Sequence, residues 1–216
     1  MPIDGIERPG SDRGPRSGER GLALLTVIIL TFVVTMIGGT LLVMTASETG
    51  IVANVAGRSE SDWAASAMAE GVAAELGGLP DWTVVLAGGI VSAHDDGAGQ
   101  PVLATGEPLD LAVLTMALQA ATPARWASDT PTWRLFAHEA LDGLGPPVPG
   151  VSPVYVLAWV ADDPADGDGN PAIDLNGRIL IRAEAFGPGR ARRAVEVALA
   201  RGPHPSGVRL RWWSPF

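Results

Sequence analysis

The chain has 216 residues, no cysteine and a formal net charge of -9 at pH 7. The acidic balance argues against binding to nucleic acid, whose phosphates would repel it. Without cysteine there is neither a disulfide framework nor a thiolate metal site. Beyond one membrane segment the chain is long enough for a single domain of roughly 100–150 residues with one hydrophobic core.

The first predicted element is a transmembrane helix over residues 22–44, within the long uncharged stretch between Arg20 and Glu48. As a helix this run is about 34 Å long, which exceeds the roughly 30 Å of a bilayer's hydrocarbon core. Buried core helices are usually shorter and amphipathic, and the apolar region of a cleaved secretory signal usually spans about 7–15 residues. The run therefore favours a single-pass anchor, whose threonine hydroxyls can bond to the helix backbone.

The distribution of arginine predicts the orientation of this anchor. The segment before residue 22 is rich in arginine, whereas Arg58 is the only basic residue between Glu48 and Asp81. Basic residues are retained on the cytoplasmic side of a membrane. We therefore expect a cytoplasmic N-terminus in the inner membrane and a periplasmic C-terminal domain.

The residues Arg20-Gly21-Leu22-Ala23-Leu24-Leu25, followed by the apolar run, resemble the class III signal of type IV prepilins. The resemblance implies a leader over residues 1–21, cleavage by a prepilin peptidase between Gly21 and Leu22, and methylation of the new amino terminus at Leu22. Gly18 is a second candidate for the cleavage position. Cleavage there would carry Glu19 and Arg20 into lipid, which is costly.

The stretch after the membrane segment extends the resemblance to type IV pilins. Ala53-Asn54, Arg58 and the alanine-rich run to Ala69-Glu70 resemble the N-terminal region of the PilX-type minor pilins, so that the resemblance covers about a quarter of the chain. It implies an α+β pilin-like fold, with a long N-terminal helix packed on a small antiparallel sheet. It also implies other pilins, a prepilin peptidase and the inner membrane as partners, and a later location in a pilus at the cell surface.

One position departs from the pattern of the major pilins. Their fifth mature residue is a glutamate that is thought to pair with the amino terminus of the neighbouring subunit, and counting from Leu22 this position is Thr26. The departure favours a tip or minor position, because a tip subunit has no subunit above it. A tip pseudopilin of a type II secretion system, similar to the K subunit, is the second interpretation, and an uncleaved anchored binding domain is the third.

The helix is predicted to continue past the membrane, over residues 22–76 in all. Gly77-Gly78 and Pro80 supply a helix stop, and Gly50 and Gly57 are candidate bends. The rest, residues 77–216, is the predicted extracytoplasmic domain. It contains a short helix over residues 109–121, a candidate strand over residues 133–137 and a Pro/Gly loop over residues 143–153.

Three further strands are predicted from β-branched and alternating residues. They cover residues 154–161, 177–186 and 192–200, and Gly187-Pro188-Gly189 predicts a hairpin between the last two. An antiparallel sheet that packs on the second half of the long helix is the expected architecture.

The loop between the first two of these strands is acidic and is the candidate metal site. Asp166, Asp168, Asn170 and Asp174 fall at positions 1, 3, 5 and 9 of a calcium-binding loop, and Asp162 or Asp163 could complete the shell. Position 12 is glycine rather than the usual glutamate, and position 6 is proline, so the loop is not a full EF-hand. The alternative is a solvated Asp/Gly turn without calcium.

The tryptophans, and the arginines near the C-terminus, are the remaining residues for which the sequence predicts a role. Core positions are predicted for four of the seven tryptophans, Trp63, Trp82, Trp133 and Trp159, because aromatic burial dominates small cores. Near the C-terminus, core or edge packing and a surface for a neighbouring pilin are alternative roles for Arg209, Arg211, Trp212 and Trp213.

The sequence gives little support to catalysis. His94, His138 and His204 lie far apart in the chain and have no recognisable partner spacing. Motifs of metalloproteases, serine hydrolases and nucleotide-binding enzymes are missing from the sequence. We therefore expect a protein that is not an enzyme.

Overall fold

The computed structural model describes residues 17–103, 106–126, 130–140, 154–187, 190–202 and 208–215. The chain divides into two compact units, Met1–Ile51 and Val52–Phe216. The first contains the apolar part of the long helix. Among the described residues the second contains the end of that helix, a sheet, three short α-helices and a 3-10 turn, and its class is α+β.

The N-terminal helix, α1, spans Ser17–Gly77 without interruption. Its end agrees with the predicted stop, since the amide of Gly78 bonds to the carbonyl of Glu75 at 3.1 Å. Its start lies within the predicted leader, because the helix begins before Gly21. The helix also runs through Gly50 and Gly57, the two candidate bends.

The second unit holds a five-stranded sheet in the order β1-β2-β3-β4-β5. Every neighbouring pair is antiparallel, so each strand lies beside the next one in the chain. The strands are β1 (Arg134–Ala140), β2 (Tyr155–Asp162), β3 (Arg178–Phe186), β4 (Arg192–Arg201) and β5 (Val208–Pro215).

The three strands predicted most clearly correspond to β2, β3 and β4, and their bounds differ by about a residue. The candidate strand at residues 133–137 is β1, while β5 was not predicted. The predicted β3–β4 hairpin is confirmed by their antiparallel pairing, which the amide of Gly187 closes on the carbonyl of Ala191 at 2.8 Å. The structure describes Gly187 but not Pro188, Gly189 or the predicted loop at residues 143–153.

One face of the sheet packs on the last turns of α1. The helix contributes a stripe of small and medium apolar side chains with helical spacing, which are buried against valine, isoleucine and alanine side chains of β2, β3 and β4. The stripe consists of Ala64, Ala65, Met68, Ala69, Val72 and Leu76. The predicted packing of helix on sheet is therefore confirmed.

The other face of the sheet is covered as well. Helix α3 (Leu111–Ala121) begins at Asp110, whose carboxylate accepts a hydrogen bond from the amide of Val113 at 2.9 Å. It lies in a second cluster with Trp133 and Trp159, and Trp159 Nε1 donates to the hydroxyl of Thr115 at 2.8 Å. Because both faces are covered, all eight residues of β2 are buried. Two shorter helices are α2 (Thr83–Leu86) and α4 (Pro123–Trp126).

The core prediction for the tryptophans is right at three positions and wrong at one. Trp82, Trp133 and Trp159 are at most 5% exposed, whereas Trp63 is 75% exposed. Trp63 lies on α1 away from the stripe that packs on the sheet, so helical geometry places it in solvent. The buried stripe of this part of the helix therefore runs from Ala64 to Leu76 and leaves out Trp63.

Candidate functional site

The exposed apolar part of α1 is the first candidate for function. The large apolar side chains between Leu22 and Met44 are 45% to 75% exposed, and the most apolar stretch has a mean hydropathy of 2.5. An uninterrupted apolar surface of this size marks a contact with lipid or with another apolar partner. The helix is long and apolar enough to cross a membrane, as an anchor or as a signal sequence.

The hydroxyls within this segment are satisfied by the helix itself. Thr26 Oγ1 donates to the carbonyl of Leu22 at 2.9 Å, and Thr31, Thr35 and Thr40 make the same bond one turn back at 2.7 to 2.9 Å. This confirms the predicted role of these threonines. A hydroxyl that is already bonded costs less to transfer into lipid than a free one.

The predicted processing position lies inside α1. Gly21 is exposed, and a Cβ atom built there would meet nothing within 4 Å. Leu22 is 70% exposed. Neither residue is therefore fixed by packing, although a glycine in a helix costs about 0.5–1 kcal/mol relative to alanine.

The acidic loop between β2 and β3 folds around short-range hydrogen bonds. Asp163 accepts from the amide of Ala165 at 3.2 Å and thereby starts a 3-10 turn over Pro164–Asp166. Asp168 and Asn170 accept from amides two residues further on, at 2.7 and 3.1 Å. Such bonds are typical of Asx turns. The side chain of Asp166 lies outside the described residues.

Asp162 and Asp174 lie at the two ends of this loop. Asp162 closes β2 and is 4% exposed. Asp174 accepts from the amides of Gly177 and Arg178 at 2.7 and 3.2 Å, while burial raises the pKa of its carboxyl. Asp162 and Asp168 line an open cleft of about 370 Å³ with Thr130, Pro131, Thr132, Pro164, Gly167, Gly169, Asn170 and Pro171. Calcium binding here stays a prediction.

Asp95, Asp96 and His138 form a cluster that the sequence did not predict. One potential ligand atom from each residue lies within 4.8 Å of the other two, and this is the one such group among the described residues. His138 Nε2 is 3.2 Å from Asp95 Oδ1, and its Nδ1 is 3.0 Å from Asp96 Oδ1. The imidazole is buried, while the two aspartates face solvent.

Backbone pairing to the edge strand β1 assembles the cluster. His138 donates its amide to the carbonyl of His94 at 2.8 Å, and its own carbonyl accepts from the amide of Asp96 at 3.0 Å. Asp95 thereby pairs in parallel with His138. His94 and His138, which lie far apart in the chain and have no recognisable partner spacing, are consequently neighbours in the fold.

Two further contacts enclose the cluster. The hydroxyl of Tyr155 donates to Asp96 Oδ2 at 2.8 Å, and its pKa is raised by burial first and then by its hydrogen bond to Asp96 and the nearby carboxylates. His94 Nδ1 is 2.7 Å from Glu139 Oε1. The local sequence signal was the pairing of His with acid in both His94-Asp95-Asp96 and His138-Glu139, but the strand register needed to combine them is not visible in sequence.

The predicted assembly residues near the C-terminus lie on strand β5. Trp212 and Trp213 pair with Ala198 and Val197 of β4, and a bulge interrupts the register between Ala198 and Leu199. Arg209 pairs with Ala200. Their side chains, and that of Arg211, lie outside the described residues, so their assignment to core or to a partner surface stays open.

No protein-family model, curated protein or solved structure matches this chain.

Proposed function

We propose that the chain is a minor pilin, held in the inner membrane by α1 and then incorporated into, or priming, a type IV pilus. The observation that carries the proposal is the wholly exposed apolar stretch of α1 that begins directly after Gly21. An anchor alone requires the apolar stretch but not a glycine at its border. A prepilin signal requires both.

The neutral residue at position 26 supports a minor rather than a repeated position. Thr26 returns its hydroxyl to Leu22, so it brings no unpaired charge into lipid and requires no partner. A subunit without the usual glutamate has nothing to offer the amino terminus of the subunit above it. A tip position agrees with this, and it applies equally to a tip pseudopilin of a type II secretion system.

The packing in the second unit agrees with the proposal. The end of α1 is buried on an antiparallel sheet and also carries an exposed outer side, on which Trp63 is 75% exposed. A helix that packs on its own sheet and later contacts neighbouring helices needs one side for the sheet and a second, exposed side for those helices. In the proposed mechanism the apolar segment leaves lipid and exchanges it for the helices of sister subunits.

The proposal is tested by intact-mass analysis of the full chain, expressed in membranes with and without a prepilin peptidase. We expect loss of residues 1–21 and a methylated Leu22 only when the peptidase is present. Gly21→Val should block the change in mass. Gly39→Val is the matched control, because a Cβ at Gly39 also meets nothing within 4 Å, and this variant should be cleaved normally.

Other outcomes would overturn the proposal. A wild-type chain that keeps residues 1–21 in the presence of an active peptidase would indicate the uncleaved anchored domain instead. Cleavage after the apolar stretch would indicate a secretory signal. If cleavage occurs after Gly21, co-purification with pili or with the secretion apparatus separates the minor pilin from the tip pseudopilin.

A further inference from the structure

Asn176 stands directly before Gly177 in the exposed turn that leads into β3. The backbone nitrogen that follows an asparagine can attack the side-chain carbonyl carbon and close a cyclic imide, a succinimide. Gly177 has no side chain to hinder this attack, and glycine readily adopts its φ of +66°. The chain has two other asparagines, but Asn54 precedes a β-branched valine within α1, and Asn170 precedes Pro171, which has no N–H.

A carboxylate is in place to take the proton from the attacking nitrogen. The amide of Gly177 donates to Asp174 Oδ1 at 2.7 Å, within the reach of about 2.6–3.2 Å that a general base needs. Burial is the largest influence on Asp174 and raises the pKa of its carboxyl, which makes the carboxylate a stronger base. The carbonyl of Gly177 accepts from the amide of Arg201 at 2.8 Å, so pairing with the end of β4 holds the turn in this position.

The side-chain carbonyl of Asn176 is also prepared for attack. Its Oδ1 accepts from the amide of Arg178 at 2.8 Å. Negative charge develops on this oxygen when the carbonyl carbon is attacked, and a backbone N–H that already points at it stabilises that charge. Asn176 Nδ2, the group that must leave, faces the solvent-exposed side of the turn and lies 3.5 Å from Asp163 Oδ2. A base, a polarised carbonyl and a leaving group therefore meet within one turn.

We propose that Asn176 is a self-modifying site, at which the turn converts the asparagine into aspartate or isoaspartate. The nitrogen of Gly177 bonds to Cγ of Asn176 while its proton passes to Asp174. The bond from Cγ to Nδ2 then breaks, and Nδ2 takes up that proton and leaves as ammonia. Water opens the remaining succinimide at the side-chain carbonyl to give aspartate, or at the backbone carbonyl to give isoaspartate. The reaction consumes one water and releases one ammonia, and nothing is oxidised or reduced.

The product changes the contact between this turn and the start of the acidic loop. The Nδ2 group of Asn176 can donate to Asp163, whereas a carboxylate at position 176 has no hydrogen to donate and repels Asp163. Asp163 also makes an ion pair with Arg178 at 3.6 Å, and a new carboxylate beside it competes for that arginine. Isoaspartate in addition lengthens the backbone by one methylene immediately before β3. The modification is therefore expected to loosen the acidic loop from the start of β3.

The test compares the full chain in detergent, folded and unfolded in urea, at neutral pH with EDTA present. Conversion at Asn176 is followed over time by peptide mass spectrometry, and isotopically labelled water marks the opening of the ring. We expect conversion to be faster in the folded chain by at least about tenfold, a small part of the factor of about 10²–10⁴ that a well-placed base supplies. Asn54 and Asn170 should stay unchanged in the folded chain.

Asp174→Asn should slow conversion in the folded chain by at least about tenfold, because the amide oxygen keeps the hydrogen bonds of the turn but is a far weaker base. Asp95→Asn is the matched control, the same change at an aspartate that contacts His138 at the edge of β1, and it should react as the wild type does. Slower conversion in the folded than in the unfolded chain would overturn the proposal, because the hydrogen bonds would then protect Asn176. A wild-type rate in Asp174→Asn, or an equal loss in Asp95→Asn, would overturn it as well.

Discussion

Arg201 stacks its guanidinium on the indole of Trp82, with the guanidinium carbon 4.2 Å from the ring centroid. The same guanidinium donates to the carbonyl of Leu79 at 3.1 Å, and Trp82 Nε1 donates to the carbonyl of Leu76 at 2.8 Å. Trp82 thus satisfies a carbonyl in the last turn of α1, and Arg201 satisfies one two residues past Gly77, beside the negative end of the helix dipole. The last residue of β4 thereby holds the C-terminal end of the long helix.

Replacing Arg201 should destabilise the second unit. Arg201→Gln removes a cation–π contact worth about 0.5–2 kcal/mol and a favourable charge at the helix end worth about 0.3–1 kcal/mol. We expect the free energy of unfolding to fall by about 1–3 kcal/mol, measured by denaturant titration with tryptophan fluorescence. Arg201→Lys should lie between the two, because lysine keeps the charge but not the planar stack.

The control for this change is Arg178→Gln. Arg178 makes an ion pair with Asp163 at 3.6 Å and is 47% exposed at its side chain, so removing it should change stability by at most about 1 kcal/mol. Equal losses in the two variants would mean that the contact between Arg201 and Trp82 does not hold the helix end.

Gly88 is a second point where the structure makes a sharp prediction. Its φ is +80°, and a Cβ there would lie 1.8 Å from Nη2 of Arg134. Gly88→Ala therefore combines a strained backbone, worth about 1–2 kcal/mol, with displacement of the arginine. Because Nη2 is the far end of an exposed and flexible side chain that can move aside, the melting temperature should fall by about as much as in Gly97→Ala, where φ is +72° and nothing lies within 4 Å.

A double variant separates the two effects at Gly88. In an Arg134→Ala background no side chain has to move aside, and Gly88→Ala should still cost about as much as Gly97→Ala does in the wild type. If the loss of the Arg134 side chain lowers the cost at Gly88, displacement of the arginine contributes to that cost.

Trp82 is buried and Trp63 is exposed, so replacing them should change the stability of the protein to very different extents. Trp82→Ala removes a buried indole and its bond to Leu76, and we expect a loss of about 3–5 kcal/mol in the free energy of unfolding. Trp63→Ala should change it by less than about 0.5 kcal/mol, because the side chain is 75% exposed and lies outside the core. A large loss for Trp63→Ala would contradict its exposure.

The sequence predicted the elements of this fold better than their packing. The long helix, the strands β2, β3 and β4 and helix α3 follow from local pattern and turn chemistry. Burial of both faces of β2 was not predicted, although a strand that is covered on both sides reads as a continuous apolar run such as residues 154–161. Trp63 was misplaced because an alanine-rich helix offers little contrast between its faces.

Candidate sites whose residues are close in sequence could be predicted, whereas the cluster at the edge of β1 could not. Gly21 and Leu22, and the aspartates of the loop between β2 and β3, are close in sequence, so a spacing can single them out. Asp95, Asp96 and His138 come together through a parallel bridge at the edge of β1. Such a bridge depends on the path of the chain between the two segments, which residue patterns do not encode.

The pH dependence of stability should carry a contribution from Asp174. Burial is the largest influence on this carboxyl and raises its pKa above the unfolded value of about 3.9, while the amides of Gly177 and Arg178 and the charge of Arg201 act in the opposite direction. The folded state therefore holds this proton more tightly than the unfolded state does. Stability from this group is complete below the unfolded pKa and is lost as pH rises through the folded pKa.

Asp174→Asn should remove the loss of stability that the ionisation of Asp174 causes as pH rises. The variant should keep the hydrogen bonds from the amides of Gly177 and Arg178, because the asparagine oxygen also accepts. With EDTA present, the variant should match the wild type near pH 3 and become the more stable of the two as pH rises above about 4. Denaturant titrations across this range measure the difference. Asn176→Ala, which removes another acceptor of the Arg178 amide, should shift stability equally at every pH. A difference between Asp174→Asn and wild type that does not grow with pH would show that burial does not raise this pKa.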